Sequence, residues 1–387
     1  MVKAERPVGF LHLKFLYSKS PSSAMASSLA KIPIIDITAD GVSEFDIGKA
    51  LVDAAAEQGF IYIKNTGKVM PIDRIQKAFD ISRILFKETS LDEKRRCTIQ
   101  KNNRGWSDMQ TEMLDPKTQK AGDTKEGFNF GEFKDGKPNQ PLPSTIEPFE
   151  GDIKQIFDNC SSLAQRIIYL LGVGLETQPA DFFSSVHTPE KGESGTTLRM
   201  LYYPAPSEVP VADKSVRAGA HSDYGSITLL FRLPGQAGLE ILTRENTWAP
   251  VPVIPTGTET DPSPPILVNI GDLLSYWTNG LFRSTIHRVT VPTPATSSTT
   301  SPATVAGEAA GERYSVAFFC HPVSDTRLEP VPSTRVANFS GSTVDDNINP
   351  YAQRKVMTAN EHLFMRLRAT YKDLYGSEKT SSQGPMV

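Results

Sequence analysis

The sequence contains little cysteine. Its three cysteines, Cys97, Cys160 and Cys320, are far apart, and no two of them form a Cys-x-x-Cys pair. A scattered, odd-numbered set does not build a disulfide framework, and free thiols are typical of a reducing compartment. The cysteine content therefore argues against a small disulfide-stapled fold, and we expect a cytoplasmic protein.

Long apolar runs and a strong excess of one charge are also absent. No stretch approaches the roughly 18 apolar residues that a membrane-spanning helix needs. The formal net charge is −3, whereas proteins that bind nucleic acid or acidic membranes usually carry strongly basic surfaces. We therefore expect neither partner, and we expect a monomer that acts on a small molecule.

The N-terminal residues 1–31 are the ambiguous part of the chain. They combine several basic residues, a short apolar patch and a run of small residues. We interpret them as a disordered tail, with Met1 or Met25 as the start of translation. The alternative is a mitochondrial presequence over residues 1–24, although Glu5 argues against it because such segments avoid acidic residues.

The first half of the remaining chain has mixed character. Apolar residues at helical spacing predict helices over 45–60, 72–87 and 150–175. Short strands are expected at 32–38 and 60–64, and the Asn-, Gly- and Lys-rich segment 97–145 is expected to be mostly loop. We treat 32–190 as one N-terminal helical and mixed region.

The chain after Gly195 changes to many short β-rich runs separated by Gly and Pro turns, including the run at 266–279. This pattern predicts a mainly β fold with flanking helices, of the sandwich or jelly-roll type. The expected parts are a core over 191–345 with a flexible Ser/Thr/Ala/Pro-rich insertion at 291–312, a C-terminal helix within 346–375 that packs on the core, and a tail at 376–387.

The stretch "GAHSDYGSITLL" (219–230) predicts a strand on which His221 and Asp223 share a face. Among the six histidines, His287 is the best third ligand because it lies in the alternating strand "STIHRVTV". Two imidazoles and one carboxylate suit non-haem Fe(II) and leave positions open for a co-substrate and O₂. Zn²⁺ and Mn²⁺ accept the same ligands, so the ligand set alone does not fix the metal.

An iron oxygenase also needs electrons to split O₂, and a 2-oxo acid can supply two of them by oxidative decarboxylation. The distal carboxylate of such an acid requires a cationic anchor, and the planar fork of arginine suits a carboxylate. The strand "RYSVAFF" offers Arg313, with Ser315 on the same face two positions later. We interpret this pair as a co-substrate anchor.

These motifs together resemble the iron(II)/2-oxoglutarate-dependent dioxygenases of the isopenicillin-N-synthase-like family. The matching elements are "HSDYGSITLL", "VNIGDLLSYWTNGLFRSTIHRV" and "RYSVAFF", in the family's order. The runs "LRMLYYP" and "IPIIDI" with the helix that follows it also match, so the resemblance extends over about 32–375.

The resemblance implies a double-stranded β-helix core, a jelly-roll variant, with the metal inside one mouth of the barrel. It implies His221, Asp223 and His287 as Fe(II) ligands. It implies Arg313 and Ser315 as the anchor of 2-oxoglutarate, with Tyr203 as a further contact. The implied co-substrates are 2-oxoglutarate and O₂, with ascorbate as a supporting reductant, and the implied products include succinate and CO₂.

One departure from the family pattern concerns the connection between His287 and Arg313, which is longer here than usual. The extra residues belong to the low-complexity insertion. Because a loop can lengthen at small entropic cost, we expect the strands that carry His287 and Arg313 to pair with each other despite it.

The resemblance implies a substrate pocket lined by N-terminal loops and the C-terminal helix. Arg199 shares a strand face with Tyr203 and is a candidate contact for an anionic substrate group. The substrate-pocket candidates are Asn103, Arg104, Trp106, Phe128, Phe130, Arg199 and Phe318.

The expected reaction is hydroxylation or desaturation of a small organic molecule, of the kind found in secondary metabolism. Three alternatives remain open at this point. One is an oxidase of the same fold, like isopenicillin N synthase, that uses no 2-oxo acid. The second is an enzyme that fragments 2-oxoglutarate itself to ethylene. The third is a non-catalytic jelly-roll module that only binds metal or ligand.

Overall fold

The computed structural model describes residues 28–115, 118–209, 216–291, 311–340 and 355–370. The expected N-terminal tail, most of the insertion at 291–312, and the tail at 376–387 lie outside these described residues. The helices are α1 (Glu44–Glu57), α2 (Ile72–Arg83), α3 (Leu91–Arg96), α4 (Glu150–Gly174), α5 (Asp272–Trp277), α6 (Thr334–Ala337) and α7 (Ala359–Thr370). None of the helices in these ranges is long and apolar enough to cross a bilayer.

Two sheets made mostly of antiparallel strands form the centre of the molecule. The larger sheet has the spatial order β1-β2-β12-β9-β14-β7-β4-β3. Its strands are β1 (Ile34–Ile35), β2 (Phe60–Ile63), β3 (Gly105–Ser107), β4 (Glu126–Phe130), β7 (Thr197–Tyr203), β9 (Ile227–Arg232), β12 (Ile266–Ile270) and β14 (Arg313–Cys320). The smaller sheet has the order β11-β10-β13-β8. Its strands are β8 (Val216–His221), β10 (Leu239–Leu242), β11 (Trp248–Pro250) and β13 (His287–Thr290), and a separate hairpin joins β5 (Phe133–Lys134) to β6 (Lys137–Pro138).

The period-two alternation of strand side chains gives the larger sheet two different faces. On β7, Met200 and Tyr202 belong to the main core beneath α1, α2 and α4, whereas Leu201 and Tyr203 belong to a second core between the two sheets. The expected mainly β jelly-roll core with helices packed outside it is therefore confirmed. The candidate functional site lies in the interior between the two sheets.

Two helices pack unusually closely on the outer face because glycines meet at their crossing. A Cβ on Gly174 of α4 would lie 2.7 Å from the backbone nitrogen of Lys49 in α1. A Cβ on Gly48 of α1 would lie 2.8 Å from the nitrogen of Gly174. Only glycine permits this approach, and the crossing fixes the helical layer under the larger sheet.

The structure corrects the expectation that residues 219–230 form one strand. β8 ends at His221 in the smaller sheet, and β9 begins at Ile227 in the larger sheet. The residues between them form the turn through which the chain passes from one sheet to the other. His221 therefore lies at the end of a strand and Asp223 in the turn that follows it, so the two residues do not share a strand face.

The expected pairing of the His287 and Arg313 strands is also wrong. β13 pairs with β8 and β10, whereas β14 pairs with β7 and β9 in the other sheet. Since β13 and β14 lie in different sheets, the two strands do not form a hairpin. Loop length therefore does not affect the register of Arg313, which is set by β7 and β9.

Two further segments differ from the sequence-based expectation. The segment 97–145 contains β3 and β4, which extend the larger sheet at the β7 edge. The run at 266–279 is a strand followed by α5, because the chain turns at Gly271 and begins a helix at Asp272. Hydrophobic periodicity does not detect a short strand among polar residues, nor a helix inside a β-rich run.

Candidate active site between the two sheets

His221, Asp223 and His287 converge at one end of the sandwich. Antiparallel pairing of β8 with β13 places His221 directly opposite His287, with ring centroids 4.3 Å apart. The turn after β8 brings Asp223 to the same point. One potential ligand atom from each residue lies within 4.8 Å of the others, an arrangement that could hold a metal ion.

Backbone carbonyls orient both imidazole rings. The Nδ1 of His221 lies 2.7 Å from the carbonyl oxygen of Gly219, and the Nδ1 of His287 lies 3.1 Å from that of Thr285. Nδ1–H therefore donates in each ring, which leaves the Nε2 lone pair available. Both Nε2 atoms point towards Asp223 Oδ1, at 3.8 Å from His221 and 3.7 Å from His287.

The Asp223 carboxylate is held through its other oxygen. Thr228 Oγ1 donates to Oδ2 at 2.6 Å, and Asn269 Nδ2 donates to the same atom at 2.8 Å. Burial acts to raise the pKa of Asp223, but the neighbouring histidines and these two hydrogen bonds outweigh it, so the pKa is lowered. Asp223 is therefore a carboxylate at neutral pH, with Oδ1 directed at the two imidazoles.

The protonation state of His221 also suits metal binding. Burial, followed by repulsion from His287, lowers its pKa to about 4. A neutral imidazole offers a lone pair that an imidazolium lacks. Two imidazole nitrogens and one carboxylate oxygen on one side of a point fit a divalent transition-metal ion with open coordination positions.

Arg313 lies deeper between the sheets and is nearly completely buried, at 2% exposed. Its Nη1 donates to Ser315 Oγ at 3.3 Å, and its guanidinium lies 4.7 Å from the ring centroid of Tyr203. Among the described residues, no carboxylate forms an ion pair with it, and its buried Nε has no acceptor. Burial followed by the positive charge of nearby Arg232 lowers its pKa, and only Tyr203 opposes this effect.

A buried guanidinium without an acidic partner is costly, since charges taken from water require compensation. The strands β14 and β9 hold Arg313 and Arg232 in this interior by their pairing with each other. The site therefore has the donor chemistry for a bound carboxylate. This is the property required of an anchor for a 2-oxo acid.

One cavity joins the triad to Arg313 and opens to solvent, enclosing about 1080 Å³ of space including its mouth. The expected residues Tyr203, Ser315 and Arg199 all contribute to its wall. Leu363 and Leu367 of α7 also face it, as expected of the C-terminal helix. A largely apolar wall with a few converging polar groups is typical of a small-molecule site.

Several residues proposed as substrate contacts do not line this cavity. Trp106, Phe128 and Phe318 belong to the core on the opposite face of the larger sheet, so these expectations are wrong. Phe130 lies in the same core. Arg104 is also absent from the cavity wall, and its guanidinium donates to Thr197 Oγ1 and to the carbonyl oxygen of Thr196 at 3.1 Å.

Strand alternation identifies a different aromatic residue in the cavity wall. Arg313 and Ser315 share a face, so Ala317 and Phe319 must share it too, and both line the cavity. The roles of Thr228 and Asn269 in holding Asp223 did not follow from the motifs that contain them, because the pairing of β12 with β9 is what brings Asn269 opposite Thr228. Glu112, Lys125 and Asn129 were missed as well, since they belong to a segment expected to be loop.

Family models match both parts of the chain. The "2OG-Fe(II) oxygenase superfamily" model covers residues 195–322, and the "non-haem dioxygenase in morphine synthesis N-terminal" model covers residues 32–147. The first range includes the triad and the Arg313 strand. The second range includes α1, α2 and α3 and the strands at both edges of the larger sheet.

Individual relatives agree with these models. A UPF0676 protein of Schizosaccharomyces pombe is 31% identical, with 82% of this chain and 92% of that protein aligned. The 2-oxoglutarate-dependent dioxygenase caaD of Aspergillus niger is 26% identical over 84% of this chain and 93% of its own. A full-length Neurospora crassa protein, crystallised in complex with alpha-KG and thymine, has a TM-score of 0.67 at 27% identity, covering 87% of this chain and 96% of that chain.

The fold and these similarities define a class of non-haem iron oxygenases built on a jelly roll. The chain belongs to the 2OG-Fe(II) oxygenase superfamily. It is a 2-oxoglutarate-dependent dioxygenase that uses Fe(II), 2-oxoglutarate and O₂. Neither an oxidase that needs no 2-oxo acid nor a non-catalytic module is favoured by these relatives.

Proposed function

We propose that His221, Asp223 and His287 bind the iron of this dioxygenase, and that Arg313 and Ser315 bind the distal carboxylate of 2-oxoglutarate with Tyr203 beside it. The observation that carries the proposal is the buried Arg313, which has no carboxylate partner among the described residues and lines the same cavity as the triad. A dianionic co-substrate would compensate this charge.

Each residue has a separate task in this assignment. Bound iron and 2-oxoglutarate supply a two-electron oxidation by O₂ that releases succinate and CO₂. Donation from Nδ1–H to the backbone directs Nε2 of each histidine at the metal position, and Asn269 with Thr228 keeps Oδ1 of Asp223 directed at the same point. The apolar wall that includes Phe319 and Leu363 limits water around the reacting centre.

The substrate is proposed to be a small organic molecule of secondary metabolism, which the enzyme hydroxylates or desaturates. Support comes from relatives such as the proline hydroxylase buaE of Petromyces alliaceus, 29% identical over 70% of this chain. The Neurospora crassa protein, similar over most of its length, was crystallised with thymine and with 5-formyluracil. Arg199 remains a substrate-contact candidate because it lines the cavity.

The remaining assignments concern the chain as a whole. We propose one catalytic unit made of the region 32–190, the jelly-roll core at 191–345 and the C-terminal helix, acting as a monomer without nucleic acid. A cytoplasmic location is supported by the three buried free cysteines. A presequence over residues 1–24 would instead direct the protein to mitochondria.

The test is a substrate screen with Fe(II), ascorbate, O₂ and 2-oxoglutarate, read by mass spectrometry. We expect succinate in proportion to a product that gains one oxygen atom or loses two hydrogen atoms. Product formed at full rate without 2-oxoglutarate would contradict the proposal and identify an oxidase. Headspace ethylene in place of an oxidised product would identify the ethylene-forming reaction.

A further inference from the structure

A chain of alternating charges runs along one wall of the cavity, away from the triad. Lys125 forms ion pairs with Asp123 and with Glu112, the latter at 3.0 Å. Glu112 also pairs with Arg199. Of these four residues, Glu112, Lys125 and Arg199 face the cavity directly.

Among the residues that the structure describes, the charges in this network balance. Two cations, Lys125 and Arg199, oppose two carboxylates, Glu112 and Asp123, and all four side chains are at most 11% exposed. Burial acts to lower the pKa of Lys125, but the two carboxylates outweigh it and raise the pKa, so Lys125 stays charged. Arg199 is therefore compensated by Glu112, unlike Arg313, and the described residues of this wall offer an anionic substrate group no net positive charge.

The fold holds this wall rigidly. Asp123 Oδ1 accepts the backbone N–H of Gly219 in β8 at 3.0 Å, which ties the network to the strand of His221. The guanidinium of Arg199 fits over Gly127, where a Cβ would lie 2.6 Å from Nη2. Ser107 Oγ accepts from the same Nη2 at 3.2 Å. A wall fixed at both ends presents one pattern of donors and acceptors to a ligand.

Asn129 adds an acceptor that has no donor among the described residues. It faces Arg199 directly across the β4–β7 pair and lines the cavity. Its Nδ2 donates to the carbonyl oxygen and to Oδ1 of Asn103, at 3.0 and 3.1 Å. If the Asn129 amide were flipped, its oxygen would face the two acceptor oxygens of Asn103. The orientation of the amide is therefore fixed. The residue is 2% exposed, and its Oδ1 has no partner.

A buried acceptor without a donor is costly, and a ligand that supplies the donor removes that cost. We propose that this wall selects an electrically neutral substrate that carries an N–H or O–H donor. Asn129 Oδ1 receives the donor, and the Arg199–Glu112 pair supplies the fixed charges next to it. This inference rests on the proposed function, since the bound molecule is the one that the dioxygenase oxidises.

The first test compares size-matched six-membered-ring probes on the full chain, loaded anaerobically with Fe(II) and 2-oxoglutarate. The probes are 2-piperidone, cyclohexanecarboxylate and cyclohexylamine, and binding is measured by calorimetry and by the change in the iron–2-oxoglutarate absorption band. We expect 2-piperidone to bind at least about tenfold more tightly than either charged probe, because a buried mismatched charge costs more than about 1.4 kcal/mol. Preference for the carboxylate, or binding of none of the three, would overturn the inference.

Two variants sharpen the test. Glu112→Gln keeps the shape of the wall but leaves it one positive charge in excess, so the preference should shift towards cyclohexanecarboxylate. Asn129→Leu removes the acceptor and should weaken 2-piperidone binding at least about fivefold. The matched control is Glu329→Gln, which removes one negative charge at an exposed loop position outside the cavity wall and should leave the preference unchanged.

Folding of each variant is checked by its thermal transition. If Glu112→Gln does not fold, Asn129→Leu decides the question alone. A folded Glu112→Gln that keeps the wild-type preference would overturn the inference, as would an Asn129→Leu variant with unchanged affinity. Absence of the iron–2-oxoglutarate band in wild-type protein would instead contradict the proposed function, so the two failures are distinguishable.

Discussion

The Asp223 carboxylate shows how single hydrogen bonds can prepare a metal site. Both donors, Thr228 and Asn269, act on Oδ2 and leave Oδ1 facing the histidines. Both donors lie within the family motifs, but Asn269 reaches the site only because β12 pairs with β9. The ligands themselves could be predicted from sequence, whereas the residues that orient them could not.

Replacement of Asn269 by Ala tests this orientation. Because partners that orient a ligand typically contribute 10–100-fold to metal affinity, we expect Fe(II) to bind about tenfold or more weakly. Anaerobic titration with Fe(II) measures the change, and Asn338→Ala at an exposed position is the control. Unchanged Fe(II) affinity in a folded Asn269→Ala protein would show that the hydrogen bond does not matter for the metal.

Arg313 allows a second test at the level of one side chain. Arg313→Lys keeps the positive charge but loses the planar fork that binds a carboxylate through two bonds. We expect the Kd for 2-oxoglutarate to rise by about tenfold or more, measured by anaerobic calorimetry with Fe(II) present. Arg335→Lys, at a half-exposed ion pair with Asp53, should leave that Kd unchanged. An equal Kd in Arg313→Lys and wild type would argue against a bidentate anchor.

The turn between β8 and β9 is the element on which the site depends most. It carries Asp223 and passes between sheets beside the end of β14, where the N–H of Ser226 donates to the carbonyl oxygen of Cys320 at 2.8 Å. A Cβ on Gly225 would lie 2.6 Å from that carbonyl oxygen and 2.8 Å from His321 Nε2. The turn therefore requires glycine for close approach, and its shape could not be inferred from strand alternation alone.

Gly225→Ala should therefore displace the turn and with it Asp223. We expect a loss of about 1–3 kcal/mol in the free energy of unfolding, as for other overpacked positions, together with weaker Fe(II) binding. Denaturant unfolding and Fe(II) titration measure the two effects. The control is Gly151→Ala in α4, where nothing lies within 4 Å of the added methyl group and helix propensity improves. Similar stability of the two variants would contradict the close-contact explanation.

Other elements show why periodicity predicted some parts of the fold and not others. The long helix α4 has an uninterrupted apolar stripe and was predicted at Glu150 to Leu175, close to its observed bounds. β4 has only five residues. The positions that face the space between the two sheets include Gly127 and Asn129 in place of apolar side chains. A strand whose inner face forms a polar binding wall lacks the hydrophobic alternation that would identify it.

At the scale of the whole molecule, buried neutral histidines link stability to pH. Burial lowers the pKa of His187 and of His362 to about 4. In the unfolded chain a histidine has a pKa of about 6.5. Below about pH 6.5 the unfolded state therefore binds more protons than the folded state. The stability that these neutral histidines contribute above that pH is lost as the pH falls towards 4.

We expect the free energy of unfolding to decrease between pH 7 and pH 5, by about 1 kcal/mol per pH unit for each such histidine at the lower end of that range. Urea unfolding at several pH values measures the slope. His187→Gln should reduce the slope, because it removes one of the groups that gains a proton on unfolding. A slope of zero in wild-type protein would contradict the neutral, buried state of these side chains.

The overall architecture was predictable from sequence because a jelly roll leaves a strong pattern of short strands and turns. The arrangement of these strands in two sheets was less accessible. Adjacent strands along the chain, such as β8 and β9 or β13 and β14, belong to different sheets. Local sequence specifies a strand, but its partners depend on contacts between distant residues.

The central claim is that three side chains hold iron while Arg313 holds 2-oxoglutarate in one cavity. Its most direct test is anaerobic addition of Fe(II) and 2-oxoglutarate to the full chain, followed by visible absorption spectroscopy. We expect a weak charge-transfer band in wild-type protein that is lost in His221→Ala and, at the same 2-oxoglutarate concentration, in Arg313→Ala. A folded wild-type protein without the band, or an unchanged band in either variant, would contradict the claim.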